Sequence, residues 1–323
     1  MNGPTGPQRP DEPGACADGN ASAAPAGASA PTVRRIDDRL GLAAMRVALA
    51  PRTLVTYARD HVTVRTPSQP GFFAGNTIDL EAVPAAEDLA GWITRFEDTV
   101  GQMGVAHVQL RWERPPGEDA GIDQEAAKTH GLALFAQHVW LIDADTFDAA
   151  HTIDPNNVQA HVNALPAPGS APSADVAERQ WHAATVLLRY LHGDHPDQWR
   201  AFDPEAVALT VDVQRELAAA GRTQVWVASR HGMPVGRVSL THDRQGLATL
   251  SDLVVHPVHR RIGIGSVLLH RALRHHLDAV AGGRVAIYTD TLDAPLFAQN
   301  GFGPHATVWT ARRTPGPPIP STS

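Results

Sequence analysis

The chain has 323 residues, about twice the usual domain length of roughly 150, so we expect two folded domains. Hydrophobic residues make up 43% and charged residues 19%, and no apolar run approaches the ~18 to 20 residues that would span a bilayer. The missing apolar run argues against a membrane as a partner. The net charge is -7, and the 27 basic residues are scattered among 34 acidic ones, which argues against nucleic acid.

Cysteine, histidine and the first residues limit the compartment and the chemistry. The start, MNGPTGPQRPDEPG, has no basic segment followed by an apolar one, so we expect no secretory signal and a cytoplasmic protein. The single cysteine, Cys16, allows no intramolecular disulfide and no multi-cysteine zinc site. Pairs such as His275 and His276 lack carboxylates or cysteines at ligand spacing, so we expect no metal.

Composition predicts the domain boundaries. The first 31 residues contain no Val, Ile, Leu, Phe, Tyr or Trp, so they cannot bury enough surface to offset roughly 1 to 2 kcal/mol of ordering entropy per residue. The segment ALPAPGSAPS reads as a Pro/Ala/Ser linker. We therefore predict a disordered tail (1–35), a first domain (36–163), the linker (164–173), a second domain (174–313) and a second disordered tail (314–323).

The first domain is predicted to alternate strands with helices. Leu89, Trp92, Ile93, Phe96 and Val100 recur at helical spacing, which predicts a helix. The other predicted elements are strands at 62–65, 76–80 and 108–112 and a short helix at 122–129. The segment from Gly131-Leu132 to Val139-Trp140 parallels that from Gly301-Phe302 to Val308-Trp309, either because the domain is duplicated or because two strand endings are similar by chance.

The second domain opens with two predicted helices. Trp181, Ala184, Leu188 and Leu191 follow a cap-like Asp175 at helical spacing. A second helix begins at Asp203-Pro204-Glu205, with an acid at the cap and proline at the first helical position, and ends at Gly221. The remaining order is strands at 225–228, 235–240 and 247–255, a helix at 264–278, a strand at 284–290, a helix at 293–300 and a strand at 305–311, which predicts an α/β domain with a mixed sheet.

One segment carries a ligand-binding pattern. Residues 250–269, LSDLVVHPVHRRIGIGSVLL, predict a strand, a glycine turn and a helix. Glycines let the backbone approach a ligand, and the free N–H groups and dipole of a helix start attract an anion such as a pyrophosphate. The segment has neither Gly-Lys-Ser/Thr nor a three-glycine dinucleotide fingerprint, so neither ATP nor NAD is indicated.

The segment resembles the acyl-CoA loop of the GCN5-related N-acetyltransferases (GNAT). The family's Arg/Gln-x-x-Gly-x-Gly/Ala pattern is matched by Arg260, Gly263 and Gly265, and its later Leu-Tyr-x-x-x-Gly-Phe segment is matched from Leu296 to Phe302. The resemblance covers about 174–313. It implies the acyl-CoA N-acyltransferase fold, a mixed, mostly antiparallel sheet flanked by helices.

The first domain resembles a reduced second copy of this fold, as in tandem members of the family. It has no Arg-x-x-Gly-x-Gly, so it is not expected to bind CoA in the usual way. It either forms one wall of the acceptor cleft or only stabilises its partner domain.

The resemblance implies acetyl-CoA as cosubstrate. In the family the strand before the loop pairs with the pantetheine arm, and the loop binds the pyrophosphate. The strand residues that match are Leu253, Val254 and Val255. The loop residues that match are Arg260, Arg261, Ile262, Gly263, Ile264, Gly265 and Ser266. The position of the family's tyrosine is occupied by Phe297.

The resemblance further implies direct transfer of an acetyl group to a primary amine of a small molecule or peptide, with backbone N–H groups near Val255 at the developing oxyanion. An alkyl amine with a pKa of about 10.4 is almost entirely protonated at pH 7, so a group must take its proton. Asp252, Ser251 and His256 are the candidates, and His242 is a weaker one. Alternatively, Asp252 pairs with an arginine such as Arg237, and His256 only fills the strand end.

The thiolate-protonating tyrosine of the family is replaced here by Phe297, which has no proton to give. Either Tyr288 protonates the thiolate, or the thiolate leaves unaided because a thiol's pKa is only about 8.5. The alternative function is a non-catalytic acyl-CoA-binding or interaction module, which Phe297 and the reduced first domain would favour.

Overall fold

The computed structural model describes residues 39–150, 158, 160–168, 174–190, 204–291 and 294–314. All of them belong to one of the two units into which the chain divides, Arg35–Ser323. The predicted tails, apart from Thr314, lie outside the described residues, as do Cys16, Leu191, Asp203 and part of the predicted linker. In the described part of the chain, no helix is both long enough and apolar enough to cross a membrane.

The described residues contain eleven strands and eight α-helices. The strands are β1 (Leu54–Tyr57), β2 (His61–Arg65), β3 (Thr77–Leu80), β4 (Val108–Arg114), β5 (Ala133–Asp143), β6 (His161–Ala164), β7 (Thr223–Arg230), β8 (Met233–His242), β9 (Leu247–Val255), β10 (Arg284–Thr289) and β11 (Gly303–Arg313). The helices are α1 (Leu40–Val47), α2 (Leu89–Thr99), α3 (Gln124–Thr129), α4 (Ala144–Ala150), α5 (Ala174–Val186), α6 (Pro204–Ala219), α7 (Ile264–Leu277) and α8 (Pro295–Gln299).

The strands form one sheet in the order β1-β2-β3-β4-β11-β5-β10-β9-β8-β7-β6. The pairs β3–β4 and β9–β10 are parallel, and the other described pairs are antiparallel. The predicted fold class, a mixed and mostly antiparallel sheet flanked by helices, is therefore confirmed.

The sheet consists of two similar halves that exchange their last strands. In each half a three-stranded meander, β1–β3 or β7–β9, leads through a helix, α2 or α7, to a parallel fourth strand, β4 or β10. The following strand of each half pairs with the other half: β5 lies beside β10, β11 lies beside β4, and β5 and β11 pair with each other. The repeat seen in the sequence falls on β5 and β11, which occupy matching places.

Helices cover the β7–β10 half on both faces. Leu268, Leu269 and Leu273 of α7 pack in a core with Leu240 and Leu250. On the other face, Trp181 of α5 and Ala218 of α6 pack against Val225 and Val227 of β7. Each fully buried aliphatic side chain contributes about 1.5 to 3 kcal/mol. The strands β8 and β9 are thereby held between α7 and the α5–α6 pair.

Most elements agree with the sequence prediction within a few residues, but α1, β1, α4 and β6 were not predicted. Helix α1 is short, and its apolar residues are buried against β5, β10 and β11, strands that are distant in sequence. The strand β6 has four residues and pairs with β7, and its last residue, Ala164, is the first residue of the predicted linker. The division into two domains stays a prediction.

Candidate active site

Strands β9 and β10 separate partway along their length. Their parallel pairing runs from Leu247 with Arg284 to Leu250 with Ile287, whereas β9 continues to Val255. The opposite edge of β10 stays paired with β5. The edge of β9 after Leu250 therefore borders an opening between the two strands.

The backbone of Val255 is directed into this opening. His256 N donates to Val235 O at 2.8 Å, and because paired and unpaired positions alternate along an antiparallel ladder, the N–H and C=O of Val255 turn away from β8. The carbonyl oxygen of Val255 accepts a hydrogen bond from Arg260 Nε at 3.0 Å. Val254 is buried, and Leu253 and Val255 are partly buried against the core beneath α7.

The loop after β9 ends in a helix start with free amides. Gly263, the N-cap of α7, has φ of +86°, a conformation that glycine adopts without strain. The first intrahelical bond runs from Val267 N to Gly263 O at 3.1 Å, and no described side chain caps the preceding amides. A Cβ on Gly265 would lie 3.7 Å from Leu296 Cδ2 and 3.9 Å from Val255 Cγ2, which are ordinary van der Waals distances, so a small side chain would fit beside this helix turn.

Together with Arg260 and Arg261, these amides fit a pyrophosphate. Arg261 is exposed and, at φ +65°, turns the chain before Gly263, and Ile262 is 47% exposed. Ile264 is buried under the helix, whereas Gly265 and Ser266 are half-buried. The predicted loop residues therefore lie at the end of the opening between β9 and β10.

Helix α8 is fixed to the start of α7 by Asn300, which sequence reasoning missed. The side chain of Asn300 is buried and donates from Nδ2 to Leu296 O at 2.7 Å and to Ser266 Oγ at 3.3 Å. Phe297 packs against the core, with its ring 5.9 Å from that of Phe302. The sequence signal that could have identified Asn300 is its position directly before Gly301-Phe302.

Asp252 lies at a β-bulge in β9. Arg237 pairs with Val254 and Ser239 with Ser251, so β9 carries one extra residue between these pairs. Asp252 has φ of +53° in this bulge, a left-handed conformation that aspartate tolerates better than most residues.

The two carboxylate oxygens of Asp252 differ in their surroundings. Oδ2 accepts hydrogen bonds from Ser239 Oγ at 2.9 Å and from Gln214 Nε2, and it lies 3.7 Å from Arg237 Nη2. Oδ1 receives no hydrogen bond from the described residues, and it is not among the buried unpartnered atoms. Asp252 therefore pairs with Arg237, as expected if its role were only to pair with an arginine. Its Oδ1 nevertheless stays accessible for a ligand.

Tyr288 is directed at α1. Its hydroxyl donates to Gly41 O at 2.7 Å, and burial raises its pKa above the ordinary value. Glu113 of β4 holds the same helix start by accepting from Leu42 N at 2.9 Å. A hydroxyl that already donates and holds its proton this tightly is a poor acid for a leaving thiolate.

Replacing Tyr288 tests this structural role. Tyr288→Phe leaves Gly41 O without its donor, so we expect the free energy of unfolding in urea to fall by about 1 kcal/mol, the usual net value of one hydrogen bond. Turnover should stay within about twofold of the wild type. Tyr57→Phe, at a side chain that is 59% exposed, is the control for a lost hydroxyl. A tenfold loss of turnover at unchanged stability would restore Tyr288 as the acid.

The histidine candidates lie at different places. His256 precedes a 3-10 helix, Pro257–His259, and its ring is 5.7 Å from that of His259. His242 pairs with Ala248 near the start of β9, far along the strand from the bulge, and its ring is 6.0 Å from that of His276. His256 therefore directly follows Val255 at the end of β9, whereas His242 lies beside the other end of that strand.

The first half has no matching opening. Its parallel strands β3 and β4 remain paired as far as Asp79 and Arg111, and β3 ends one residue later. The carboxylate of Asp79 is buried and accepts from Arg111 Nε and Arg46 Nη1, both at 2.7 Å. Glu87 precedes α2, where its carboxylate would repel a pyrophosphate. These contacts support the expectation that the first half binds no CoA in the usual way.

Comparison with known proteins agrees with this geometry. Residues 221–304 match the family model of the acetyltransferase (GNAT) domain. The fold resembles that of a conserved protein of unknown function from Staphylococcus epidermidis ATCC 12228 (14% identity, TM-score 0.61, covering 83% of this chain and 96% of that one). It also resembles a GCN5-related N-acetyltransferase from Kribbella flavida (13% identity, TM-score 0.52, covering 90% and 98%).

No curated protein matched the sequence. The second half of the chain nevertheless contains a GNAT domain, and the sheet has the acyl-CoA N-acyltransferase fold. The resemblance stated from Arg260, Gly263 and Gly265 is confirmed.

Proposed function

We propose that the protein is an N-acetyltransferase that transfers an acetyl group from acetyl-CoA to a primary amine. The observation that carries the proposal is the opening between β9 and β10, which joins the free edge of β9, the accessible Oδ1 of Asp252 and the start of α7. The GNAT domain match over 221–304 supports acyl-CoA-dependent acetyl transfer in general.

The donor is held along the opening. Backbone groups of Leu253 and Val255, on either side of Val254, pair with the pantetheine arm as an added strand would. The pyrophosphate lies at the amides of Gly263, Ile264, Gly265 and Ser266, with Arg260, Arg261 and Ile262 beside it, and Phe297 contacts the arm. Helix N-termini and arginines are the usual partners of such an anion.

The reaction is direct. The amine nitrogen attacks the thioester carbonyl carbon, a C–N bond forms, and the C–S bond breaks. Asp252 Oδ1 accepts the amine proton, directly or through water, because Oδ2 is already saturated. The N–H of Val255 stabilises the oxyanion. The thiolate leaves unaided, since Phe297 carries no proton and the proton of Tyr288 is engaged with Gly41 O.

The acceptor is a small amine or a peptide amine, for which a carboxylate at the bulge is a suitable partner. A module that binds acyl-CoA without turnover is the second candidate, favoured by Phe297 in the place of the family's tyrosine. We also propose that residues 36–163 and 174–313 are tandem copies of one fold, of which the second binds the donor.

Turnover distinguishes the two candidates. Thiol release from acetyl-CoA is measured with a panel of small amines and short peptides. Asp252→Asn should lower kcat about 100-fold, a typical value for loss of a proton acceptor, and leave acetyl-CoA binding unchanged. Asp243→Asn is the matched control, because Asp243 Oδ1 only accepts turn amides, from Gln245 at 2.6 Å and Leu247 at 3.1 Å.

Equal rates in the wild type and Asp252→Asn would remove Asp252 from the mechanism. Binding of acetyl-CoA without release of thiol by any amine would favour the non-catalytic module.

A further inference from the structure

A buried arginine lies beneath Asp252 and joins three elements. Arg237 of β8 is 0% exposed. Its Nη1 donates to Ala184 O of α5 at 3.3 Å, and its Nη2 donates to Gln214 Oε1 of α6 at 2.7 Å. The Asp252 carboxylate of β9 completes an ion pair at 3.7 Å. We call Arg237, Gln214, Ser239 and Asp252 the Arg237 cluster.

Gln214 has a fixed orientation in this cluster. Since its Oε1 accepts from Arg237, its Nε2 is directed at Asp252 Oδ2 and Ser239 Oγ, the latter at 3.2 Å. All the donors that reach the carboxylate converge on Oδ2. The cluster therefore fixes the side-chain rotation of Asp252 and leaves only Oδ1 available for a new partner.

Stability alone gives little reason for such a cluster. Burying a charged pair costs several kcal/mol in desolvation, and apolar side chains of similar volume often stabilise a core as well or better. Burial lowers the pKa of Arg237, the neighbouring Asp252 opposes that fall, and an arginine stays charged. Its Nε has no hydrogen-bond partner among the described residues. This buried charge is directed at the single carboxylate of the bulge.

The arginine nearest in sequence to Gln214 is paired elsewhere. Arg215, the residue after Gln214 on α6, pairs with Glu178 of α5 at 2.8 Å on the exposed side of the two helices. Within the described ranges, Arg237 is the charged side chain at ion-pair distance from Asp252.

We infer that Arg237 and Gln214 are positioning residues that act through Asp252: they fix the rotation of its carboxylate and keep its Oδ1 directed at the acceptor amine. This inference rests on the proposed function. It also couples α5 and α6 to the bulge, because a shift of α6 moves Gln214 and thereby turns the carboxylate. The positions of α5 and α6 then determine which acceptor amine meets a correctly oriented Asp252 carboxylate.

The first test is Gln214→Met, which keeps the volume and removes all three hydrogen bonds of the amide. We expect acetyl-CoA Kd within twofold of the wild type and kcat at least tenfold lower, a split between binding and turnover that general destabilisation of the fold would not produce. The loss of turnover arises because a carboxylate without its partners on Oδ2 is free to rotate Oδ1 away from the acceptor amine. Arg237→Met should show the same changes, enlarged.

Arg215→Met is the matched control, since it also removes an arginine that links α5 to α6 but has no contact with Asp252. It should keep the wild-type kcat and acetyl-CoA Kd. If Arg237→Met does not fold, Gln214→Met decides the question. A folded Gln214→Met with wild-type kcat overturns the inference.

Binding and turnover, measured separately, distinguish this inference from the proposed function. A wild type that binds acetyl-CoA but acetylates no amine overturns the proposed function, and this inference with it. An active wild type whose kcat is equalled by folded Gln214→Met overturns the inference alone.

Discussion

A chain that ends at Phe302, and so lacks β11, is expected to lose cooperative folding in both halves. β11 lies between β4 and β5, pairing with β4 from Thr307 to Arg313 and with β5 from Gly303 to Arg312. Val308 and Ala311 of β11 are fully buried, in two different cores. Removing the strand therefore exposes apolar surface in each half and leaves two strand edges unpaired in the middle of the sheet.

The same argument applies to residues 174–313 expressed alone. That fragment contains β10 and β11 but not β5, which separates them, and it also lacks α1, whose apolar residues cover this part of the sheet. We expect it to show no cooperative transition in urea, followed by near-UV circular dichroism. Mixing it with a 1–173 fragment should restore the transition, because β5 and β11 then find their partners.

A chain ending at Thr314 is the control, since it keeps every described strand. A monomeric 174–313 fragment that unfolds cooperatively and binds acetyl-CoA would contradict the role assigned to the strand exchange.

The sequence predicts features that depend on neighbouring residues. The turn before α7 requires the left-handed conformation of Gly263, and Gly265 leaves the first turn of the helix without a side chain; both glycines are visible in the sequence. Helix α6 is predicted from Pro204 to Gly221 because its start and stop are local signals.

Other features depend on partners that are distant in sequence. Helix α1 is held in place by the hydrogen bond from Tyr288 and by buried contacts with β5, β10 and β11. The eight residues of the helix do not by themselves indicate these partners. The bulge at Asp252 arises from the register between β8 and β9, and no glycine marks it. The exchange of β5 and β11 between the two halves leaves the local periodicity of each strand unchanged. The sequence therefore shows two similar strand endings but does not indicate that each strand pairs with the other half.

A negative charge at the start of α7 should abolish donor binding. Gly265→Glu places a carboxylate where the pyrophosphate lies, and loss of two charged hydrogen bonds of about 1.5 to 3 kcal/mol each raises Kd by on the order of 10³-fold. The fold should tolerate it, because the nearest atoms to a Cβ there are at 3.7 and 3.9 Å. Gly263 is a worse probe, since φ is +86° and a Cβ would lie 3.0 Å from Val158 Cγ2.

Two variants complete this design. Gly265→Ala adds only a methyl group and should raise the free energy of unfolding by about 0.5 to 1 kcal/mol, because alanine favours a helix. Gly91→Glu introduces the same carboxylate near the start of α2, the matching helix of the first half, where nothing lies within 4 Å of a Cβ. It should bind donor like the wild type.

The most direct test is a calorimetric titration of acetyl-CoA into the wild type, Gly265→Glu and Gly91→Glu. The account predicts one site per chain in the wild type and in Gly91→Glu, and binding weakened about 10³-fold or undetectable in Gly265→Glu. No binding in the wild type, or equal binding in Gly265→Glu, would contradict the assignment of the opening between β9 and β10 as the donor site.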